Sequence, residues 1–143
     1  MTKLTQFLVA CLFFYAFAAH AQDAAAQRQA LADGKYDFTL ITPDMPERNR
    51  EITVPAEIKK AKTGFEVHTQ GMLGNKVTLK GAMNDGTIKM GTTAIEKNSI
   101  LSFHYIGKVD KGIGKGEFFT FIDGKKAFAG KWTLSKQENA SGK

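Results

Sequence analysis

Among its 143 residues the chain has one cysteine, one tryptophan, three prolines and three histidines. The single cysteine, Cys11, lies in an N-terminal apolar stretch. The rest of the chain therefore has no thiol redox pair, cysteine nucleophile or cysteine-built zinc site. A Gly-x-Ser-x-Gly elbow is missing as well, so Ser99, Ser102 and Ser135 lack the context of a nucleophilic serine. Arginine occurs only at Arg28, Arg48 and Arg50. Base and phosphate recognition favours its planar fork, and nothing here points to nucleic acid. No repeat or low-complexity tract is present. With 43% hydrophobic and 24% charged residues the chain has an ordinary globular composition, and about 150 residues usually make one domain.

Residues 1–21 read as an export signal. Lys3 supplies the positive start, Leu4 to Ala19 is almost unbroken apolar sequence, and Ala19-His20-Ala21 places small residues around a cleavage position. At 16 residues the run is short for a membrane span, which needs about 20. Leu8-Val9-Ala10-Cys11 is similar to the box before a lipidated cysteine. Only seven residues separate Lys3 from Cys11, however, and the apolar run continues past it. Cleavage after Ala21 is the preferred reading, with a periplasmic or secreted mature chain of 122 residues that carries no cysteine and a net charge of +5. Such a chain has to fold on its core alone. Asn139-Ala140-Ser141 is a formal glycosylation sequon in a polar tail.

After the signal, residues 22–35 form a leader, with Ala- and Gln-rich helix composition from Asp23 to Ala32 and a stop at Asp33-Gly34. Residues 36–135 alternate instead. Tyr36, Phe38 and Leu40 share one parity, as do Ile52, Val54, Ala56 and Ile58, the period of two of a half-buried strand. Further strands are expected around Phe65, Val67 and Thr69; Val77, Leu79 and Gly81; Ile88 and Met90; Leu101, Phe103 and Tyr105; Phe119 and Phe121; and Phe128, Trp132 and Leu134. Residues 136–143 read as a disordered polar tail.

Short connections rich in residues that tolerate positive φ separate these strands, among them Lys62-Thr63-Gly64, Asn84-Asp85-Gly86, Lys97-Asn98-Ser99 and Asp123-Gly124-Lys125. Sequence neighbours should therefore pair as hairpins. Eight such strands without helical crossovers either close into an up-and-down barrel or form two packed sheets, and closure is preferred because it removes the edges. Pro55 predicts a bulge or a locally unpaired edge in the second strand. The segment Thr42 to Asn49, with Pro43 and Pro46, predicts a longer loop at one barrel mouth.

Gly34-Lys35-Tyr36 resembles an aromatic-substituted form of the Gly-x-Trp start of lipocalins. Gly130-Lys131-Trp132-Thr133-Leu134 is similar to the last strand of small exported lipocalin-like or avidin-like barrels. In strand count and rhythm the resemblance spans Gly34 to Ser135. It implies an eight-stranded antiparallel barrel whose cavity or mouth binds a small apolar ligand.

The apolar parity defines a lining without charge. Eight strands enclose about enough space for side chains to fill, or for one small ligand. Tyr36, Phe103, Tyr105, Phe119 and Trp132 are the candidate ligand contacts, and the tyrosines and tryptophan each join a large apolar body to a polar tip. His68 and His104 carry the opposite parity and are expected to face outward, where a metal or general-base role would need converging carboxylates such as Glu66 or Glu117. Gly112-Ile113-Gly114-Lys115-Gly116 does not match a phosphate loop, since neither the lysine spacing nor the following strand-like sequence fits. It reads as a flexible turn or a glycine-kinked strand that could gate a barrel mouth. The many lysines read as a solubilising outer face, with weak contact to an anionic envelope surface as the functional alternative.

The expectation is thus an exported, non-enzymatic β-barrel, needing no cofactor or metal, that binds an apolar or amphipathic small molecule in its barrel or at its mouth. The rival is an envelope interaction or inhibitor module with a filled barrel, acting through its end loops. A void of several hundred Å³ beside Trp132 and Tyr105 would favour the first. A solid interior would favour the second.

Overall fold

The structure is a computed structural model and describes residues 31–71 and 74–137. Eight antiparallel strands follow one another around a closed barrel in chain order, and the last pairs with the first. They are β1 (Gly34–Ile41), β2 (Glu51–Lys60), β3 (Phe65–Gln70), β4 (Lys76–Asn84), β5 (Thr87–Glu96), β6 (Ser99–Asp110), β7 (Ile113–Ile122) and β8 (Lys125–Lys136). This is the up-and-down barrel that the alternating parity predicts. The connection from β1 to β2 holds one helical turn, α1 (Glu47–Arg50). Among the described residues no helix is long and apolar enough to cross a membrane. The expected signal, nearly all of the leader helix and the tail from 138 onward lie outside the described residues.

Turn chemistry sets the register. Asp85-Gly86, Lys97-Asn98, Lys111-Gly112 and Asp123-Gly124 have positive φ at both positions, the type I′ geometry whose twist matches that of the flanking strands. Successive turns fall at alternate ends of the barrel. One end carries the β1–β2, β3–β4, β5–β6 and β7–β8 connections. The other carries the remaining three and the start of β1 and end of β8.

Pro55 interrupts nothing. Its pairing with Asp37 stays in register, and the ladder to β3 begins only at Ala56, so the missing N–H falls where β3 offers no paired partner. The unpaired edge is present and the bulge is not. A register shift occurs instead in β7–β8, where Thr120 pairs with Phe128 but Phe121 pairs with Lys126.

The lining of β7 corrects the expected parity. Phe118 and Thr120 are buried and share the inner face with Gly114 and Gly116, whereas Phe119 and Phe121 lie outside. With Phe119 inward, Lys115 and Glu117 would also have entered an apolar interior, a far larger penalty than leaving two phenyl rings on the surface. The two glycines have a packing role. A Cβ on Gly114 would lie 3.1 Å from Cζ3 of Trp132, and one on Gly107 in β6 would lie 2.8 Å from Cζ2, so the indole fills a slot made by absent side chains. Gly112 completes a two-residue turn at the end opposite the long β1–β2 connection, which removes the expectation that this segment gates a mouth.

Candidate functional site

Inner-face side chains at the two barrel ends differ in exposure. Near the end that carries the β2–β3, β4–β5 and β6–β7 turns, Tyr36, Ile58, Phe65, Ile88, Val109 and Leu134 are all buried. Leu31 packs against this core, and the Ala32 carbonyl accepts a 2.9 Å hydrogen bond from the Tyr36 hydroxyl, so the chain entering the barrel lies across this end. Burying each large side chain of this kind stabilises the fold by about 1.5–3 kcal/mol. At the opposite end Leu40, Ile52, Val54, Val77, Leu101 and Phe103 are only half-buried. Ile122 and Phe128, on the same inner face, are 37% and 41% exposed. That end is an open mouth with an apolar wall.

The floor of the mouth is aromatic. The Tyr105 ring lies 5.5 Å from Phe38, 5.8 Å from Phe118 and 6.4 Å from Trp132, centroid to centroid, and Phe38 meets Trp132 nearly edge to face at 6.3 Å. Trp132 is 1% exposed, which leaves no water-sized space against it. Its Nε1 donates to the Glu117 carbonyl at 3.0 Å and to the Ile106 carbonyl at 3.3 Å, both on the strands it packs beneath. The expected void beside Trp132 is filled by side chains. Thr120, buried beside Phe103 in the β6–β7 ladder, places a hydroxyl on the same inner face.

The five candidate contacts therefore separate. Tyr105 and Phe103 form floor and wall of the mouth. Trp132 is sealed beneath the floor, and Tyr36 belongs to the closed end with its hydroxyl already bonded. Phe119 is on the outside, across from His104 and under the Lys126 ammonium at 4.9 Å, a cation–π contact in place of a ligand contact. Leu101, Ile122 and Phe128 form the rest of the rim on this side, and Ile122 had no place in the expected lining.

Burial pushes the Tyr105 pKa up to about 12, so the phenol stays protonated far above neutrality. Tyr36 is also raised, chiefly by burial, with its hydrogen bond to Ala32 opposing and the Asp33 charge adding.

Outside the barrel, Gly91 leaves a depression of about 410 Å³ between Lys80, Ala82, Lys89, His104 and Ile106. Gly81, Met90 and Tyr105 of the inner face also border it, so it shares Tyr105 with the floor of the mouth. His104 meets Phe121 edge-on at 5.5 Å. His68 lies 3.2 Å from Glu66 and 3.2 Å from the Thr78 hydroxyl. Both histidines face outward, on β6 and β3, and among the described residues no group of three potential ligands could hold a metal ion.

No protein-family model, curated protein or solved structure matches this chain. The eight-stranded antiparallel barrel is compatible with a calycin-like fold.

Proposed function

We propose that the protein is an exported, non-enzymatic barrel of lipocalin-like type that binds an apolar or amphipathic small molecule at its open mouth. One observation carries this reading: inner-face apolar side chains, half-buried Met83 excepted, are sealed at one end and left half-open at the other. Apolar surface held in a concave wall gains free energy when a ligand displaces its water, at about 25 cal/mol per Å² removed. The filled lower half moves binding upward, to Phe103, Tyr105, Ile122 and Phe128. Export rests on the N-terminal sequence of residues 1–21. Native mass spectrometry of protein purified from its own source tests the reading. A co-purifying small molecule is expected on the wild type and lost from Phe103→Asp. Wild type that carries none, and whose Trp132 fluorescence ignores added medium-chain alkanes and ketones, would sink it.

A second reading, the envelope module with a filled barrel, is favoured by two observations, the first being the side-chain-filled space beside Trp132. Ile95 and Ile100, outward on the β5–β6 tip, are 80% and 50% exposed beside Lys97. Such a tip suits contact with an envelope partner. Replacing both isoleucines by serine should then abolish that contact and leave small-molecule binding intact.

A further inference from the structure

Of the three buried aromatics with a polar tip among the described residues, two are internally bonded. Tyr36 donates to Ala32, and Trp132 donates to Glu117 and Ile106. Tyr105 differs. It is 6% exposed, its ring is enclosed by Phe38, Phe118 and Trp132, and its hydroxyl makes no hydrogen bond among the described residues. No described side-chain oxygen is both sealed from solvent and without a partner. Among the described residues the Tyr105 hydroxyl is therefore not sealed, and the residue, on the inner face, borders both the mouth and the depression across β4, β5 and β6. A buried phenol with no partner among the described residues is an anchor for one supplied from outside.

We infer that the mouth takes a neutral, largely apolar molecule that enters with one hydrogen-bond acceptor leading, and that the Tyr105 hydroxyl donates to it. This rests on the mouth being the binding site and adds the chemistry of the ligand's inner end. Because the phenol stays protonated at neutral pH it offers a donor, which selects a carbonyl, ether or alcohol oxygen. A carboxylate is disfavoured. Below the rim the inner wall holds Leu40, Val54, Val77, Leu101, Phe103 and Thr120, and among the described residues no cation there replaces the water that a charged group would lose.

The test compares octan-2-one with octane, two chains that differ in one carbonyl, followed through Trp132, the protein's only tryptophan. Tyr105→Phe keeps the ring and removes only the hydroxyl. Octan-2-one should bind about 3- to 10-fold more weakly to the variant, the usual effect of one neutral hydrogen bond. Octane should bind both proteins alike. A second readout is independent of affinity: the infrared carbonyl stretch of bound octan-2-one should lie lower in wild type than in Tyr105→Phe. Equal binding of the ketone to both proteins, or an unshifted stretch, would overturn the assignment of Tyr105 while octane binding kept the mouth. Failure of both compounds to bind wild type would overturn the mouth reading and this inference together.

Discussion

Gly107 and Trp132 share one space: a Cβ on the glycine would lie 2.8 Å from the indole Cζ2, and it would also strike the Lys115 carbonyl. The tryptophan is held where it is because β6 and β7 have no side chains at Gly107, Gly114 and Gly116. Its two carbonyl partners belong to those same strands.

Gly107→Ala should therefore lower stability by about 1–3 kcal/mol, the usual scale of overpacking, in urea denaturation. Gly114→Ala should lower it less, because its nearest indole atom is 3.1 Å away. Adding Trp132→Phe to Gly107→Ala should recover part of the loss. Strictly additive losses would place the whole clash at the Lys115 carbonyl.

The buried floor and the exposed rim of the mouth should respond differently to the same truncation. Phe38→Ala, at 2% exposed, should cost about 3–5 kcal/mol. Phe128→Ala, at 41% exposed, should cost less than about 1 kcal/mol. Similar losses at the two sites would mean that the mouth wall is packed.

Alkaline pH should expose Tyr105. Its pKa is about 12 in the folded chain and 10 when free, so between those values the unfolded chain gives up a proton that the folded chain retains. Stability then falls as pH rises. The contribution, about 2–3 kcal/mol from the shift of two units, is fully present below pH 10 and lost by pH 12. Tyr105→Phe should flatten that part of the stability profile.

Lys111 sits at φ +50° in a two-residue turn before Gly112. Lys111→Asn would create Asn-Gly, the pair best suited to positive φ at both positions. The midpoint of urea denaturation should rise, by about 0.5 kcal/mol in stability. An unchanged or lower midpoint would show that the lysine is already unstrained there.

Strand number, order and closure were legible because each hairpin turn carries its own chemistry and each strand its own period of two. β7 was harder. Phe118-Phe119-Thr120-Phe121 is apolar on both parities, so aromatic content alone favours the wrong face. The charges at Lys115 and Glu117 upstream decide the matter, since they cannot face inward. Depth along the barrel was not legible. Periodicity tells which side of a strand faces the interior, but whether that position lies near a sealed or an open end depends on strand stagger and on what packs across the opening. Trp132 and Tyr36 have the parity of a lining and the burial of a core for that reason. Tyr105 and Phe103, two residues apart on one strand, fall on either side of that boundary between core and mouth.

An even number of strands running up and down returns the polypeptide to the rim where it began: Tyr36 lies across from Lys136, and Gln137 donates to the Lys35 carbonyl at 3.0 Å. A tether, affinity tag or surface attachment fused on either side of residues 34–136 would thus leave from the face remote from Phe128. Protein held at residue 34 or 137 should present its aperture to solution, a ready format for ligand capture.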